Sequence, residues 1–243
     1  MLNNGTWSYY RNVPLGKPRR RRSIFRTVFL FTAGLIFAVY GLCLVELVAL
    51  RWVRPPVTMV QVQRRMEAWA HHRPYRKQYV WQPLARIAPD LQHAVIAAED
   101  GRFYQHHGID WQEVQKVVDQ DMEAGRLGRG GSTITQQLVK NLFFTTNRSI
   151  LRKAVEFTLA PAAELILSKR RILELYLNVI EWGPGVYGAE AAARTWYGIP
   201  AARLNRDQAA RLAAVIPSPL RRKPERMNAY SSEIERRMSQ MGW

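Results

Sequence analysis

Three stretches carry side chains that could do chemistry together. In the first, Glu99 and Asp100 close an apolar run and open a loop holding Gly101, Phe103, His107 and Gly108. A carboxylate at such a place is partly desolvated, which raises its pKa and suits it to accept a proton. The second, GRGGSTITQQ, is a glycine-rich loop entering a helix start, where free N–H groups can receive a phosphate. It lacks the GK[ST] ending of a nucleotide-binding P-loop. On the helix after this loop, Gln136 and Gln137 stand four and three residues before Lys140, so the three share a face. The third is Arg152, Lys153 and Glu156, where an i,i+4 spacing sets a cation beside a second carboxylate. Each stretch alone has a plain reading, as a solvated acid, an exposed polar face or a surface salt bridge. Together, two separated carboxylates with cations between them suit chemistry on a sugar whose leaving group is an anion.

Positioning these groups requires helices, and helical periodicity dominates from residue 90 onward. Asp90 is expected to cap a helix reaching about residue 100, with Leu91, Ala94, Val95 and Ala98 as its apolar face. Asp110 and Glu113 read as a capping box for a helix ending near 125. Further helices are expected over 133–144, 150–167 with a kink at Pro161, and 169–178, where Ile172, Leu173, Tyr176 and Leu177 form a core stripe. Asn178 and Glu181 open a loop with three glycines, read as packing at the edge of the cleft. Helices over 189–197 and 206–216 come next, the second capped by Asn205 and Gln208, and the tail from 228 suits a last basic helix. Residues 59–81 suit a helix and then an extended piece. No strand ladder and no internal repeat is visible.

Residues 27–45 are uncharged and rich in Phe, Leu, Val and Ile. A helix of that length spans about 28 Å, enough to cross a bilayer core. No small-x-small cleavage pattern comes after it, so an anchor is expected rather than a cleaved signal. Seven cations and no acid precede it, four of them the block Arg19 to Arg22, which holds the N-terminus in the cytoplasm and sends the chain after about residue 50 across the membrane. These seven leave +10 of the formal net charge of +17 for the rest of the chain. Such a balance favours polyanionic partners, and membrane attachment favours lipid headgroups over nucleic acid. The single cysteine, Cys43, lies in the apolar run and excludes an internal disulfide and a cysteine metal site. His71/His72 and His106/His107 are adjacent pairs that diverge on a helix or strand, so no zinc set is expected.

Taken in order, these stretches resemble glycosyltransferase family 51, the peptidoglycan glycosyltransferases. AEDGRFYQHHG resembles the family's ED-x-x-F-x-x-H-x-G motif, GGSTITQQLVKNLF its second, RKAVE its R-K-x-x-E, and KRRILELYLN its fourth. WGPGVYGAEAAARTWYG resembles the family's stretch after that fourth motif. The likeness covers about residues 85–220. It implies a mainly α fold, a lysozyme-like helical glycosyltransferase domain preceded by one N-terminal transmembrane helix. The expected organisation is a cytoplasmic basic N-terminus (1–26), a signal anchor (27–50), a linker and membrane-proximal segment (51–84) and a glycosyltransferase domain (85–243), with no room for a transpeptidase domain. The resemblance further implies polymerisation of lipid II at the outer face of the cytoplasmic membrane. Glu99 would be the base acting on the acceptor 4-hydroxyl, and the sugar would transfer with inversion as undecaprenyl pyrophosphate leaves. Lys140, Arg148 and Arg152 would balance charge on that leaving group. Glu156 would be a second essential carboxylate, positioning the donor or holding a divalent cation (Mg or Mn). Asp100, Phe103 and His107 would shape the site, and Ser132, Thr133, Gln136 and Gln137 would contact the donor. Cell-division or elongation proteins are the partners such an activity implies.

Two rivals stand beside this reading. A lytic transglycosylase of the same fold needs a carboxylic acid to protonate the glycosidic oxygen and has no use for cations at a pyrophosphate. A non-catalytic envelope scaffold would tolerate Glu99→Gln.

Overall fold

The computed structural model describes residues 21–124, 131–147 and 149–243. The chain divides into two units, Met1–Leu42 and Cys43–Trp243. Helix α1 (Arg21–Ala49) carries a 26-residue stretch, Ile24–Ala49, of mean hydropathy 2.4, long and apolar enough to cross a membrane by length and composition. Phe25, Phe29, Phe31 and Phe37 are exposed along it, as side chains that face lipid would be. The helix continues past the expected uncharged run through Glu46.

In the second unit, α2 (Met59–Ala70) is capped by Thr58, whose hydroxyl accepts from Gln61 N. Strand β1 (Gln78–Tyr79) comes next. α3 (Pro89–Glu99) starts with proline at its first position, so Ala88 is the N-cap and Asp90 lies inside the first turn instead of capping it. α4 (Trp111–Ala124) is capped by Asp110, which accepts from the N–H groups of Gln112 and Glu113. α5 (Ile134–Phe143) opens with a capping box of Thr133 and Gln136, hidden in sequence beneath the glycine-rich motif. α6 (Ile150–Ile166) runs unbroken through Pro161, and α7 (Lys169–Val179) is capped by Ser168. Then come β2 (Glu181–Gly183), β3 (Val186–Tyr187), α8 (Ala189–Tyr197), α9 (Arg206–Ala213) with its Asn205/Gln208 box, and α10 (Asn228–Gln240). α9 ends three residues before the expected 216.

The fold is helical, as expected, with one addition. β2 and β3 form a bulged antiparallel hairpin, and β1 joins β3 in parallel through Gln78↔Val186 and Tyr79↔Tyr187. Strands of two or three residues are too short for alternation to reveal them. Gly185, at φ +74°, lets the chain at Arg76 cross the hairpin, since a Cβ there would lie 2.6 Å from the Arg76 carbonyl oxygen.

Two helix groups frame the site. α3 packs against α9 and α10, while α5 packs against α6, α7 and α2. Trp182, Tyr176, Tyr187 and Phe103 are among the largest fully buried side chains. The C-terminus of α3 meets the N-terminus of α5 where these groups join.

Candidate active site

Asp100 makes that junction. As the C-cap of α3 it sends its carboxylate to the start of α5, where Oδ2 accepts from Ile134 N at 2.9 Å. A carboxylate on the orphan N–H groups of a helix start is favoured by hydrogen bonding and by the helix dipole. His106 Nε2 lies 2.9 Å and 3.0 Å from the two Asp100 oxygens. Counted from Glu99, the motif spacing places its histidine at 106, and His106 is the buried one. His107 is exposed, with no polar partner among the described residues. Phe103 is fully buried beneath the loop, with the Lys169 ammonium 4.5 Å from its ring centroid.

Thr133 and Gln136 hold the opposite wall. Thr133 Oγ1 donates to Gly108 O at 2.6 Å, while the Thr133 and Gln136 side chains each accept from the other's backbone N–H. Both are buried, so the structure uses them as the cap of α5. Gly108, at φ +88°, abuts α6 so closely that a Cβ would lie 2.6 Å from Pro161 N. Ser132 accepts from Lys153 Nζ at 2.9 Å.

Within this frame, Glu99 is half-buried. Its Oε2 accepts from Gln137 Nε2 at 2.7 Å, and its Oε1 is shielded from solvent with no hydrogen-bond partner. Burial raises the Glu99 pKa. The Gln137 hydrogen bond and the charges of Lys140 and Arg222 oppose that rise, and Asp100 adds to it. A cleft of about 650 Å³ opens beside Glu99, with Ser132, Thr133 and Tyr230 among its walls. A second cleft of about 190 Å³ is lined by Gln137, Lys140, Arg64, Thr146 and Glu181.

Lys140 lies within electrostatic reach of both carboxylates. Burial lowers its pKa, while Glu156 and Glu99 both pull it upward and Arg152 and Lys153 push it down. Glu156 is buried between two cations: Arg152 Nε lies 3.0 Å from Oε1 without hydrogen-bond alignment, and Lys153 Nζ lies 3.6 Å from Oε2. Arg152 Nη1 also donates to Thr145 O at 2.8 Å. Arg148 and residues 125–130 of the glycine-rich loop lie outside the described residues. The structure thus gathers Glu99, Gln137, Lys140, Arg152 and Glu156 on adjoining parts of α3, α5 and α6.

A family profile described as Transglycosylase matches residues 65–241. The chain belongs to the transglycosylase family. Proteins named biosynthetic peptidoglycan transglycosylase resemble it along nearly their whole length. The Pseudomonas putida (strain W619) protein is 45% identical over 225 residues, 91% of this chain and 92% of that one. The Pseudomonas aeruginosa protein is 41% identical over 91% of this chain and 95% of its own. The Xanthomonas campestris pv. campestris (strain B100) protein is 43% identical over 93% and 92%.

In this transglycosylase the surroundings of Glu156 do not suit a protein-held metal. Its two neighbours are cations, and among the described residues no three acidic, histidine or cysteine side chains gather as a ligand set. Several groups around the site had no separate signal in sequence. Tyr176, placed in a core stripe by its spacing, donates its hydroxyl proton to Gln137 Oε1 at 2.8 Å. Glu164 joins α5, α6 and α7, accepting from Thr135 Oγ1 and Lys169 Nζ. Arg222 and Tyr230 reach the Glu99 side from beyond α9, the guanidinium 5.3 Å from the phenol ring centroid. A count of the motif spacing finds His106, whereas these other groups become visible only when distant helices come together.

Proposed function

We infer that the chain is a membrane-anchored peptidoglycan glycosyltransferase of cell-wall synthesis, acting on lipid II and the growing lipid-linked glycan. The observation that carries the chemistry is Glu99: a desolvated carboxylate with one oxygen held by Gln137 and the other unpartnered, one side chain away from a cation set. In the proposed reaction the acceptor 4-hydroxyl gives its proton to Glu99 while its oxygen bonds to the donor's anomeric carbon. The bond from that carbon to the pyrophosphate oxygen breaks, and the lipid pyrophosphate leaves from the opposite face with inversion. Lys140, Arg152 and Arg148 balance the negative charge that grows on the leaving oxygen, where a fixed cation lowers the barrier. Glu156 holds Arg152 and Lys153 in place as a counter-charge. No nucleotide is needed, because the donor arrives activated.

The α1 stretch supports a membrane anchor, and the basic block at 19–22 supports an extracytoplasmic catalytic part, residues 85–243, in the cytoplasmic membrane. Lysis would use a protonated Glu99, and the cations around Glu156 would then serve no leaving group.

The test is polymerisation of purified lipid II in detergent, wild type beside Glu99→Gln, with products separated by length. Long strands from wild type alone support the polymerase and the base. Polymer from both proteins removes Glu99 as the base. Cleavage of preformed glycan without polymer supports the lytic reading instead.

A further inference from the structure

Tyr176 lies on α7 and is fully buried, yet its hydroxyl is not idle. It donates to Gln137 Oε1 at 2.8 Å, and Gln137 Nε2 donates to Glu99 Oε2 at 2.7 Å. An amide can present either end, and its neighbours decide which. A buried phenol carries one proton and must place it on an acceptor. With the amide oxygen taken by Tyr176, Gln137 turns its NH₂ to Glu99 and favours the ionised carboxylate.

We propose that Tyr176 is a positioning residue for the reaction, fixing the orientation of Gln137 so that Glu99 Oε2 stays hydrogen-bonded and Oε1 is the oxygen left to take the acceptor's proton. This rests on Glu99 being the base. Burial keeps the Tyr176 phenol protonated, raising its pKa well above the ordinary value, with Glu99 and Asp100 adding to the rise. The other charged or titratable groups facing Glu99 are Lys140 on α5, Arg222 after α9, Tyr230 on α10 and the adjacent Asp100. None of these hydrogen-bonds to the Gln137 amide, so when Glu99 is protonated the amide's direction depends on Tyr176.

Tyr176→Phe removes one oxygen and keeps the ring. Gln137 is then free to turn its oxygen to a protonated Glu99, which stabilises the acid form. The acid limb of the kcat/KM profile should move to higher pH by about half to one unit. The plateau at high pH should change less than about threefold, because an ionised Glu99 turns the amide back. In a Gln137→Ala background the Tyr176 substitution should no longer move the limb, as expected for an effect transmitted through the amide. Incorporation of 3-fluorotyrosine at 176 keeps the phenol, strengthens it as a donor and should move the limb to lower pH. This measurement also decides the matter if the Phe variant does not fold.

An unmoved limb with Phe or fluorotyrosine overturns the proposal, as does a loss of plateau activity at all pH values without a shift. Glu99→Gln is assayed in parallel. If it stays active, the base assignment fails and the proposal with it; if it is inactive while the limb stays fixed, the proposal alone fails.

Discussion

Gln63 and Thr146 hold each other by two hydrogen bonds. The Gln63 amide donates to Thr146 Oγ1 at 2.8 Å and accepts from Thr146 N at 2.6 Å. One residue earlier, Thr145 O accepts from Arg152. Helix α2 therefore grips the segment that steadies Arg152, the cation proposed to face the leaving group. Gln63→Leu removes these two hydrogen bonds and a third to Glu67, should cost about 1–3 kcal/mol of stability, and should raise KM for the donor more than it lowers kcat. Steady-state kinetics with thermal unfolding check this, and unchanged KM would detach α2 from substrate binding.

Glu99 should set both activity and stability against pH. Burial raises its pKa, so a base at this position loses activity on acidification above the ordinary carboxylate range near 4.5. The folded state then binds the proton more tightly than the unfolded chain. Stability from this group is therefore greatest below about 4.5 and falls as pH rises through the raised value. Glu99→Gln should abolish polymerisation yet melt higher than wild type at neutral pH, with the difference shrinking in acid. Calorimetry across pH reads this directly.

In the proposed reaction Lys140 faces charge that grows only as the leaving group departs. Lys140→Ala should lower kcat by about 10²–10³, the usual cost of removing one group that stabilises such charge, with a smaller change in KM. Single-turnover kinetics separate the two. An effect confined to KM would make Lys140 a ground-state binder.

Asp100→Asn and His107→Ala should behave oppositely. The first weakens the carboxylate joint between α3 and α5, and should cost about 1–3 kcal/mol together with much of the activity. The second changes an exposed side chain and should stay within about 0.5 kcal/mol of wild type. Melting curves and initial rates of both variants suffice.

Much of this was legible in the chain. Helices α3 to α10 follow from apolar period and from caps such as Asp110 and Asn205, because capping is local. Glu99 and Glu156 could be singled out because an acid beside an apolar run or a pair of cations is visible in a few residues. The features that stayed hidden depend on distant partners. Thr133 and Gln136 spend their side chains on the helix start, and nothing in their types separates a cap from a ligand contact. Tyr176 has the spacing of a core residue and is one, and its second role exists only because α5 lies against α7. Within residues 51–84 the helix and extended piece expected over 59–81 are α2 and β1, but their partners Glu181 and Val186, over a hundred residues later, had no signal there.

That separation bears on how the protein is made. Arg64 and Glu181 are 117 residues apart in the chain. At about 5–20 residues per second, α2 leaves the ribosome on the order of ten seconds before its partner strand exists. The side of α2 that meets α5 waits until that helix is made, and Arg64 waits longer still, until Glu181 follows. The segment synthesised just after the anchor thus completes its contacts late, with residues far along the chain rather than with its own neighbours.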